Sequence, residues 1–594
     1  MQPSLPPATK RPRDVRTIHK KGLKGMKLGT LALMTGAAVI AITAGAKAND
    51  KLAADKTDTV QPPLVLAQNV SNAAGAGGMS NAELAARVQA LEDALSSQND
   101  RAMADRTRLS TLEQGYNSAV WNFDNGRASF ASGDGRFTLA IRARMQADFG
   151  GFMQDSTHPA GFAGPSDLSS GAVMRRAYFG IEGKAYNDFQ YELRLNAGGS
   201  DGGLNPTCTA ATTITGAPGA AATSTCSTAA IGPGGEGDPL LNKMAITYVG
   251  IPNWHFNVGI LEPSFMMEGT TSSANLTWLE RPEIENIAAD SFGAGDSRRG
   301  IEIGYNKIDA FWPGDNVAFD VAFTGGKTGS AAGHGNGGDE QSQILGRVVD
   351  RFWSDGISNF QVGMSIASIL YSGNAAGGGS QTVRFRERPE IRIDGTRLVD
   401  TGAINAKTGD MIAFDLEGNW QNLYLEGEWA QFKMDRMCGA ITATGNAACT
   451  STTAVIDHPT FSGFTIGAAW LITGETKTYT PAGVAETQAG FGAPVPSRPF
   501  SLQGDSWGAW ELVARYSDTD LNWNTTQTAT TGQLAGIVGG DQRVIALGIN
   551  WYLNRNVRVM LDDNIVKVKK GVIGNLNRDS QDLNIIGLRV QYAN

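Results

Sequence analysis

The chain has 594 residues, with 74 glycines, only 18% charged residues and a formal net charge of −8. This composition favours β structure over a mostly helical enzyme, and the acidic balance disfavours nucleic-acid binding. One closed barrel can take up hundreds of residues, so the length does not require several domains. After the N-terminal region there is no run of about 18 apolar residues, which excludes a membrane-spanning helix from the rest of the sequence.

The N-terminal region has the pattern of a secretory signal peptide over residues 1–48. A hydrophobic run from Leu28 to Ala46 follows several lysines and ends at the cleavage pattern Ala46-Lys47-Ala48. The run is short and interrupted by glycine, so a membrane anchor is the less favoured alternative. Met26 would also make a normal start, which leaves open whether residues 1–25 are translated. Removal of residues 1–48 leaves 41 basic and 57 acidic residues, a net charge of −16.

Two further segments precede the main domain. Residues 49–78 are rich in Ala, Gly, Pro and Gln and are predicted to be a flexible linker. Residues 79–115 are predicted to form a coiled-coil helix, because a capping-box pattern is followed by apolar residues at spacings of four and three. Gln98 and Asp105 occupy core positions of that seam, so the helix would need partner helices. A single amphipathic helix lying on the main domain is the alternative.

The sequence after about residue 120 repeats with a period of two. In Phe137–Phe149 every odd residue is apolar, whereas Arg142 and Arg144 are among the even ones. The same alternation recurs in Phe189–Asn196 and Val317–Thr324. Because successive side chains of a strand point to opposite faces, these segments are predicted to be strands with one apolar and one polar face.

The connections between the predicted strands alternate in length. Tight turns such as Asn187-Asp188 and Ser354-Asp355-Gly356 alternate with long glycine-rich segments such as Gly198–Pro239 and Gly325–Gln343. Short turns at one rim and long loops at the other are typical of outer-membrane barrels. We count roughly sixteen strand segments long enough to cross a barrel wall, and such a barrel leaves an aqueous lumen. The predicted fold is therefore all-β, a transmembrane antiparallel β-barrel of about 16 strands over residues 116–594, in preference to a soluble sandwich.

The polar faces of the predicted strands are rich in arginine and would line the lumen. Arginine stays charged in a confined space and presents a planar fork to oxyanions, which suits an anion pathway. Pairing of these arginines with lumenal carboxylates is the alternative. The chain is thus expected to be a passive channel for small hydrophilic solutes, with the following pore-lining candidates: Arg142, Arg144, Arg176, Arg194, Arg384, Arg386, Arg515 and Arg558.

The four cysteines fall into two pairs in loop-like sequence. Export to an oxidising compartment favours two local disulfides, between Cys208 and Cys226 and between Cys438 and Cys449. A four-cysteine zinc site is the alternative, but neither pair has C-x-x-C spacing and the pairs are far apart in sequence. No metal site and no cofactor are predicted.

The histidines give no sign of catalysis. After residue 48 there are four, His158, His255, His334 and His458, and only His255 is placed on a strand. None has an adjacent nucleophile motif such as G-x-S-x-G. We therefore predict no catalytic residues and a protein that is not an enzyme.

Several segments resemble one known family. The sequences Ala469–Glu475, Trp507–Ser517 and Leu547–Asn554, together with Arg175–Gly180 and Leu279–Arg281, are similar to the phosphate-selective porin O and P family of Gram-negative outer membranes. The resemblance runs from about residue 130 to the end. It implies a sixteen-stranded barrel in the outer membrane, assembled as a homotrimer, with loops folded inward to narrow the pore.

The resemblance also points to a constriction loop. Glu262–Phe292 follows a strand and is expected to narrow the pore, and Leu261 stands before Glu262-Pro263 where the family often has a lysine. The residues of this loop expected to contact a passing solute are Thr270, Ser272, Ser273, Glu280 and Arg281.

The expected partners follow from this interpretation. They are outer-membrane lipid, two further copies of the chain, and small anions or other hydrophilic solutes, but no nucleic acid. The alternative function is a structural barrel whose coiled coil tethers the outer membrane to the cell wall, with peptidoglycan as its partner.

Overall fold

The structure is a computed structural model that describes most of the chain after residue 79. The described residues are 80–118, 120–124, 126–154, 168–199, 207–208, 226–227, 241–293, 297–327, 340–373, 382–438, 455–481, 489–529 and 533–594. The predicted signal peptide and linker lie outside them. No helix among the described residues is both long enough and apolar enough to cross a lipid bilayer.

One long helix, α1, runs from Asn81 to Asn117. Ser80 caps it, since its Oγ and its carbonyl both accept the backbone N–H of Glu83. The apolar residues of the predicted seam, among them Leu84, Leu91 and Leu112, are exposed along this helix. The helix is present where the sequence predicts it, and its assembly into a coiled coil stays a prediction.

Sixteen antiparallel strands form one closed barrel. The last strand pairs with the first, with Leu583 opposite Gln154 and Ala593 opposite Arg144, which leaves no open edge along this ladder. The predicted fold class and strand number are therefore confirmed. The strands are β1 Thr138–Gln154, β2 Gly171–Ala185, β3 Phe189–Asn196, β4 Leu241–Tyr248, β5 Trp254–Leu261, β6 Arg298–Ile308, β7 Asn316–Lys327, β8 Ser342–Ser354, β9 Asn359–Tyr371, β10 Ile404–Trp420, β11 Leu423–Met437, β12 Thr460–Leu471, β13 Ala509–Trp523, β14 Ile537–Tyr552, β15 Val557–Val572 and β16 Asn575–Ala593.

Short ladders accompany the barrel. A hairpin of Val120–Asp124 and Arg127–Ala131 pairs with the beginning of β1. The other short strands are Thr207–Cys208, Cys226–Ser227, Thr382–Val383, Arg386–Glu387, Val399–Asp400, Val455–Asp457, Tyr479–Thr480 and Gly490–Phe491.

The distribution of polarity is the reverse of that in a soluble protein. On β9, Val362 and Ile366 are exposed, while the alternating Gln361 and Ser365 are completely buried. On β13, Leu512 is exposed and Arg515 is buried. A barrel wall in lipid requires this arrangement, since its outer face meets hydrocarbon and its backbone groups pair within the sheet.

Two long connections fold into the lumen. The first inward loop, whose described residues are 262–293 and 297, carries the helices α2 (Met267–Thr270) and α3 (Glu283–Phe292). The second inward loop, whose described residues are 372–373 and 382–403, packs Phe385 against Phe292 of α3 and against Phe432 of β11. The two loops and the adjoining wall therefore share an apolar core inside the barrel, which neither the strand alternation nor the predicted inward loops indicate.

Two connections depart from the expected division into a short-turn rim and a long-loop rim, and one of them is the two-residue turn between β15 and β16 at the long-loop rim. The rim segment, whose described residues are 472–481 and 489–508, joins β12 to β13 at the end of the barrel where the other connections between strands are short. Its Lys477 is buried and donates to Thr277 Oγ1 of the first inward loop at 2.6 Å. The lumen is therefore occupied from both ends.

Candidate functional site

A cavity of about 1100 Å³ lies inside the barrel. It is bounded by the inner face of β1–β6, by the first inward loop and by the ends of β14–β16. Residues of the rim segment, including Pro494 and Val495, also line it.

Basic residues dominate the lining of this cavity. Twelve Arg and Lys side chains line it against five Asp and Glu side chains, an excess of seven positive charges. The basic residues are Arg127, Arg142, Arg144, Arg175, Arg176, Lys184, Arg194, Lys243, Arg281, Arg392, Arg555 and Arg558. The acidic ones are Glu182, Glu192, Glu262, Asp290 and Glu302. The charge of the cavity wall is therefore opposite in sign to that of the whole chain.

Arg144 connects the barrel wall to the first inward loop. Its Nη1 donates to Ser273 Oγ at 2.6 Å and its Nη2 donates to Ser272 Oγ at 2.9 Å. Gln146, two residues further along β1, donates to the carbonyl of Ser273 at 2.8 Å. A guanidinium and two hydroxyls are thereby held at the cavity wall, and all three groups can donate hydrogen bonds to an anion.

Two consecutive arginines of β2 both face the lumen because the strand has a β-bulge. Gln146 is opposite Arg176 and Ala147 is opposite Met174, so Arg175 is the extra residue between them. Strict alternation would place one of the two guanidiniums in lipid. Arg175 and Arg176 are instead both buried and both line the cavity.

Glu280 of the first inward loop lies at the centre of an arginine cluster. It accepts from Arg175 Nε at 2.8 Å and from Arg589 Nη2 at 2.7 Å, and Arg176 lies 3.7 Å away. Burial alone would raise the pKa of the Glu280 carboxyl, but the surrounding guanidiniums hold that pKa well below its usual range. Glu280 is therefore an anionic anchor that ties the loop to β2 and β16.

Glycines on the inner wall allow the loop to approach closely. A Cβ at Gly467 would lie 2.4 Å from the Trp278 ring, and one at Gly463 would lie 2.5 Å from Ile284. The loop side chains therefore occupy the space that a wall side chain would otherwise fill.

The predicted pore-lining arginines divide into two groups. Arg142, Arg144, Arg176, Arg194 and Arg558 line the cavity. Several of them have partners: Arg142 is 3.1 Å from Glu182, Arg194 pairs with Glu262, and Arg558 donates to the carbonyl of Leu276 at 2.8 Å.

The remaining three arginines lie elsewhere. Arg515 is buried behind the loop, where it is 2.7 Å from Glu390 and stacks over the Trp278 ring. Arg384 and Arg386 are on the second inward loop rather than on a barrel strand, and Arg384 donates to Asp400.

The predicted residues of the first inward loop also fall into two groups. Thr270, Ser272, Ser273 and Arg281 line the cavity, while Glu280 is buried behind its wall among arginines. Sequence reasoning missed Arg175, Lys243 and Arg392 as lining residues. The pair Arg175-Arg176 within an apolar strand was the available signal, since two adjacent charges require a bulge.

The cysteines are only partly described. Cys438 is disulfide-bonded, and its predicted partner Cys449 lies outside the described residues. Cys208 is directly opposite Cys226 in a short antiparallel ladder. The two predicted pairings stay predictions.

A family model described as "Phosphate-selective porin O and P" matches residues 139–593, which is most of the barrel. The chain belongs to the phosphate-selective porin O and P family. It is similar to Porin O of Pseudomonas aeruginosa, with 21% identity over 484 residues that cover 79% of this chain and 91% of that relative. The protein is therefore an outer-membrane porin of Gram-negative bacteria, and both its family and its fold are those of channel proteins.

Solved structures similar to this porin include two bacterial channels. An anion-selective porin from Comamonas acidovorans has 13% identity and a TM-score of 0.39, and covers 77% of this chain and 100% of its own. The outer membrane channel DcaP of Acinetobacter baumannii has 9% identity and a TM-score of 0.38, and covers 77% of this chain and 97% of its own.

Proposed function

We propose that this porin is an anion-preferring passive channel for small hydrophilic solutes. The observation that carries the proposal is the sign of the cavity wall, where twelve basic side chains outnumber five acidic ones in a chain whose net charge is negative. Selectivity in a narrow pore follows the charges that line it rather than the total charge of the protein.

The arrangement of donors supports oxyanions in particular. Arg144 with Ser272 and Ser273 offers N–H and O–H donors on one stretch of wall. The neighbouring Arg175 and Arg176 add further positive charge. Family membership suggests inorganic phosphate as one of the permeating or competing anions. We extend the proposal to phosphate on that ground, together with the arginine and serine donors.

Passage requires no chemical step in this proposal, and the protein acts without catalysis. The family also suggests a homotrimer, each copy with its own lumen. The tether to the cell wall is not favoured as the main function by family membership.

Ion substitution in a planar lipid bilayer tests the proposal. We expect step-like channels whose conductance changes little when K⁺ is replaced by the slower Li⁺, and falls strongly when Cl⁻ is replaced by a bulky anion. Added inorganic phosphate should reduce the chloride current. Absence of channels would contradict the porin function. A conductance that changes only when the cation is replaced would contradict the anion preference.

A further inference from the structure

Three side chains on neighbouring strands meet at the wall of the cavity. His255 of β5 is opposite Gly304 of β6, and Gly304 is opposite Asp320 of β7, so the three positions form one row across the sheet. Glu302 is on the same face of β6, two residues before Gly304. This register brings one imidazole and two carboxylates together.

Gly304 creates the space in which these groups meet. A Cβ at this position would lie 2.0 Å from His255 Cε1 and 2.1 Å from Asp320 Oδ1. The histidine and the aspartate therefore reach across β6 over a residue without a side chain.

The distances suit a metal ion. His255 Nε2 is 3.0 Å from Asp320 Oδ1 and 4.0 Å from Glu302 Oε1, and one potential ligand atom from each residue lies within 4.8 Å of the others. Tetrahedral ligands with bonds of about 2.1 Å would be about 3.4 Å apart. The observed separations lie on either side of that value, so small side-chain adjustments would place an ion between them.

The facing atoms are buried without hydrogen bonds of normal geometry. His255, Asp320 and Glu302 are each more than nine-tenths buried. Neither His255 Nε2 nor Asp320 Oδ1 has a hydrogen-bond partner that satisfies both distance and angle. Buried polar atoms that make no hydrogen bond of normal geometry are costly, and a cation between them would coordinate them directly.

The surroundings also resemble those of a metal ligand set. Asn257 Nδ2 donates to Glu302 Oε1 at 2.6 Å, and the backbone N–H of Ser264 approaches Glu302 Oε2 at 3.3 Å. Such outer contacts orient a ligating carboxylate. His255 and Glu302 line the cavity, so an ion and its water ligand could enter from the lumen.

We infer that His255, Glu302 and Asp320 form a lumenal binding site for one divalent transition-metal cation of the zinc type. Imidazole nitrogen with two carboxylate oxygens suits Zn²⁺ or Mn²⁺, and three protein ligands leave a position open for water. This inference does not rest on the anion preference of the channel.

Zinc binding to the purified, tag-free porin tests the site. Isothermal titration with Zn²⁺ at neutral pH should give one ion per chain, and the X-ray absorption spectrum of the loaded protein should show one imidazole among oxygen ligands. His255→Ala and Asp320→Asn should each weaken binding at least about tenfold, as loss of a ligand requires. Gly304→Ala should do the same by filling the site while all ligands remain.

His458→Ala is the matched control. His458 is exposed and pairs with Asp435 at 2.7 Å, far in sequence from the site, so its loss should leave zinc binding unchanged. Heat-modifiable migration of the closed barrel in gel electrophoresis, compared with wild type, would show that each variant is folded. Absence of zinc binding in the wild type, or wild-type affinity in folded His255→Ala, would overturn the inference.

Discussion

At the residue scale, the β-bulge at Arg175 is the clearest case in which the side-chain direction departs from the simple alternation. Period two correctly places Arg144, Gln146 and Asp148 on the inner face of β1, where all three are buried. It fails at Arg175, because the inserted residue turns both arginines of the pair inward. Alternation predicts which face of a regular strand a side chain lies on. A bulge depends instead on tertiary contacts, here the ion pair between Arg175 and Glu280.

The charge of Arg144 should contribute directly to selectivity. A unit charge about 8 Å from a permeating ion is worth about 0.5 kcal/mol in water-like surroundings, which corresponds to about twofold. Arg144→Ala should therefore lower the anion-to-cation permeability ratio by about that factor, measured from the reversal potential in a salt gradient. Arg543→Ala is the control, because Arg543 is outside the cavity and pairs with Asp518 and Asp541. Equal effects of the two substitutions would contradict the assigned role.

The glycine at position 467 should be required for packing of the first inward loop. A Cβ there would lie 2.4 Å from the Trp278 ring, so Gly467→Ala should destabilise the folded barrel by about 1–3 kcal/mol through overpacking. The midpoint of urea unfolding in detergent measures this change. Gly427→Ala is the control, since its added methyl would meet no atom nearer than 3.8 Å. An unchanged unfolding midpoint in Gly467→Ala would contradict this prediction, because it would mean that the loop moves aside at no cost in stability.

At the element scale, the packing of the inward loops is the part of the fold that the sequence predicts least well. The strands repeat a local pattern, and their number and polarity follow from that pattern. The packing of Phe385 against Phe292 and Phe432 joins two loops to a wall strand and has no local signature. The rim segment likewise enters the lumen, where Lys477 donates to Thr277 and Phe491 packs against Tyr424, and no periodicity predicts these contacts.

Glu280 should hold the first inward loop in place. Glu280→Gln keeps the shape of the side chain but removes the carboxylate charge that pairs with Arg175 and Arg589, and breaking such a buried pair is expected to cost about 3–5 kcal/mol of folding stability. The loosened loop should also raise the variability of single-channel conductance. Glu340→Gln is the control, because Glu340 and Arg299 form a partly exposed pair.

The difference in folding stability between wild type and Glu280→Gln should depend on pH with a definite sign. The pKa of Glu280 is lowered well below the ordinary value of 4.5, so its contribution is fully present above pH 4.5. It should disappear only as the pH falls through the lowered pKa. The stability gap between wild type and Glu280→Gln should thus stay constant from neutral pH to about pH 5. A gap that closes within that range would contradict the anchoring role.

Helix α1 should be dispensable for conduction. Its seam residues are exposed and its predicted partners are other helices. Deletion of residues 79–115 should leave single-channel conductance unchanged and lower the yield of assembled oligomer, measured by crosslinking. Loss of conductance in a folded deletion variant would show that the division between helix and barrel is wrong.

At the scale of the whole molecule, two opposite charge distributions coexist. The chain without residues 1–48 has a net charge of −16, yet the cavity wall carries an excess of seven positive charges. The net charge alone would suggest a cation pathway, whereas strand alternation already places five of the eight predicted arginines at the cavity wall and the fold adds Arg175, Lys243 and Arg392. The closed barrel makes this separation possible, since its inner wall and outer loops are distinct surfaces.

The reversal potential of the wild-type channel is the most direct test of this account. With a tenfold KCl gradient across a planar bilayer, we expect a reversal potential with the sign of Cl⁻ selectivity, and a smaller value at high salt as the wall charges are screened. A reversal potential with the sign of K⁺ selectivity would contradict the proposal that the basic wall controls passage.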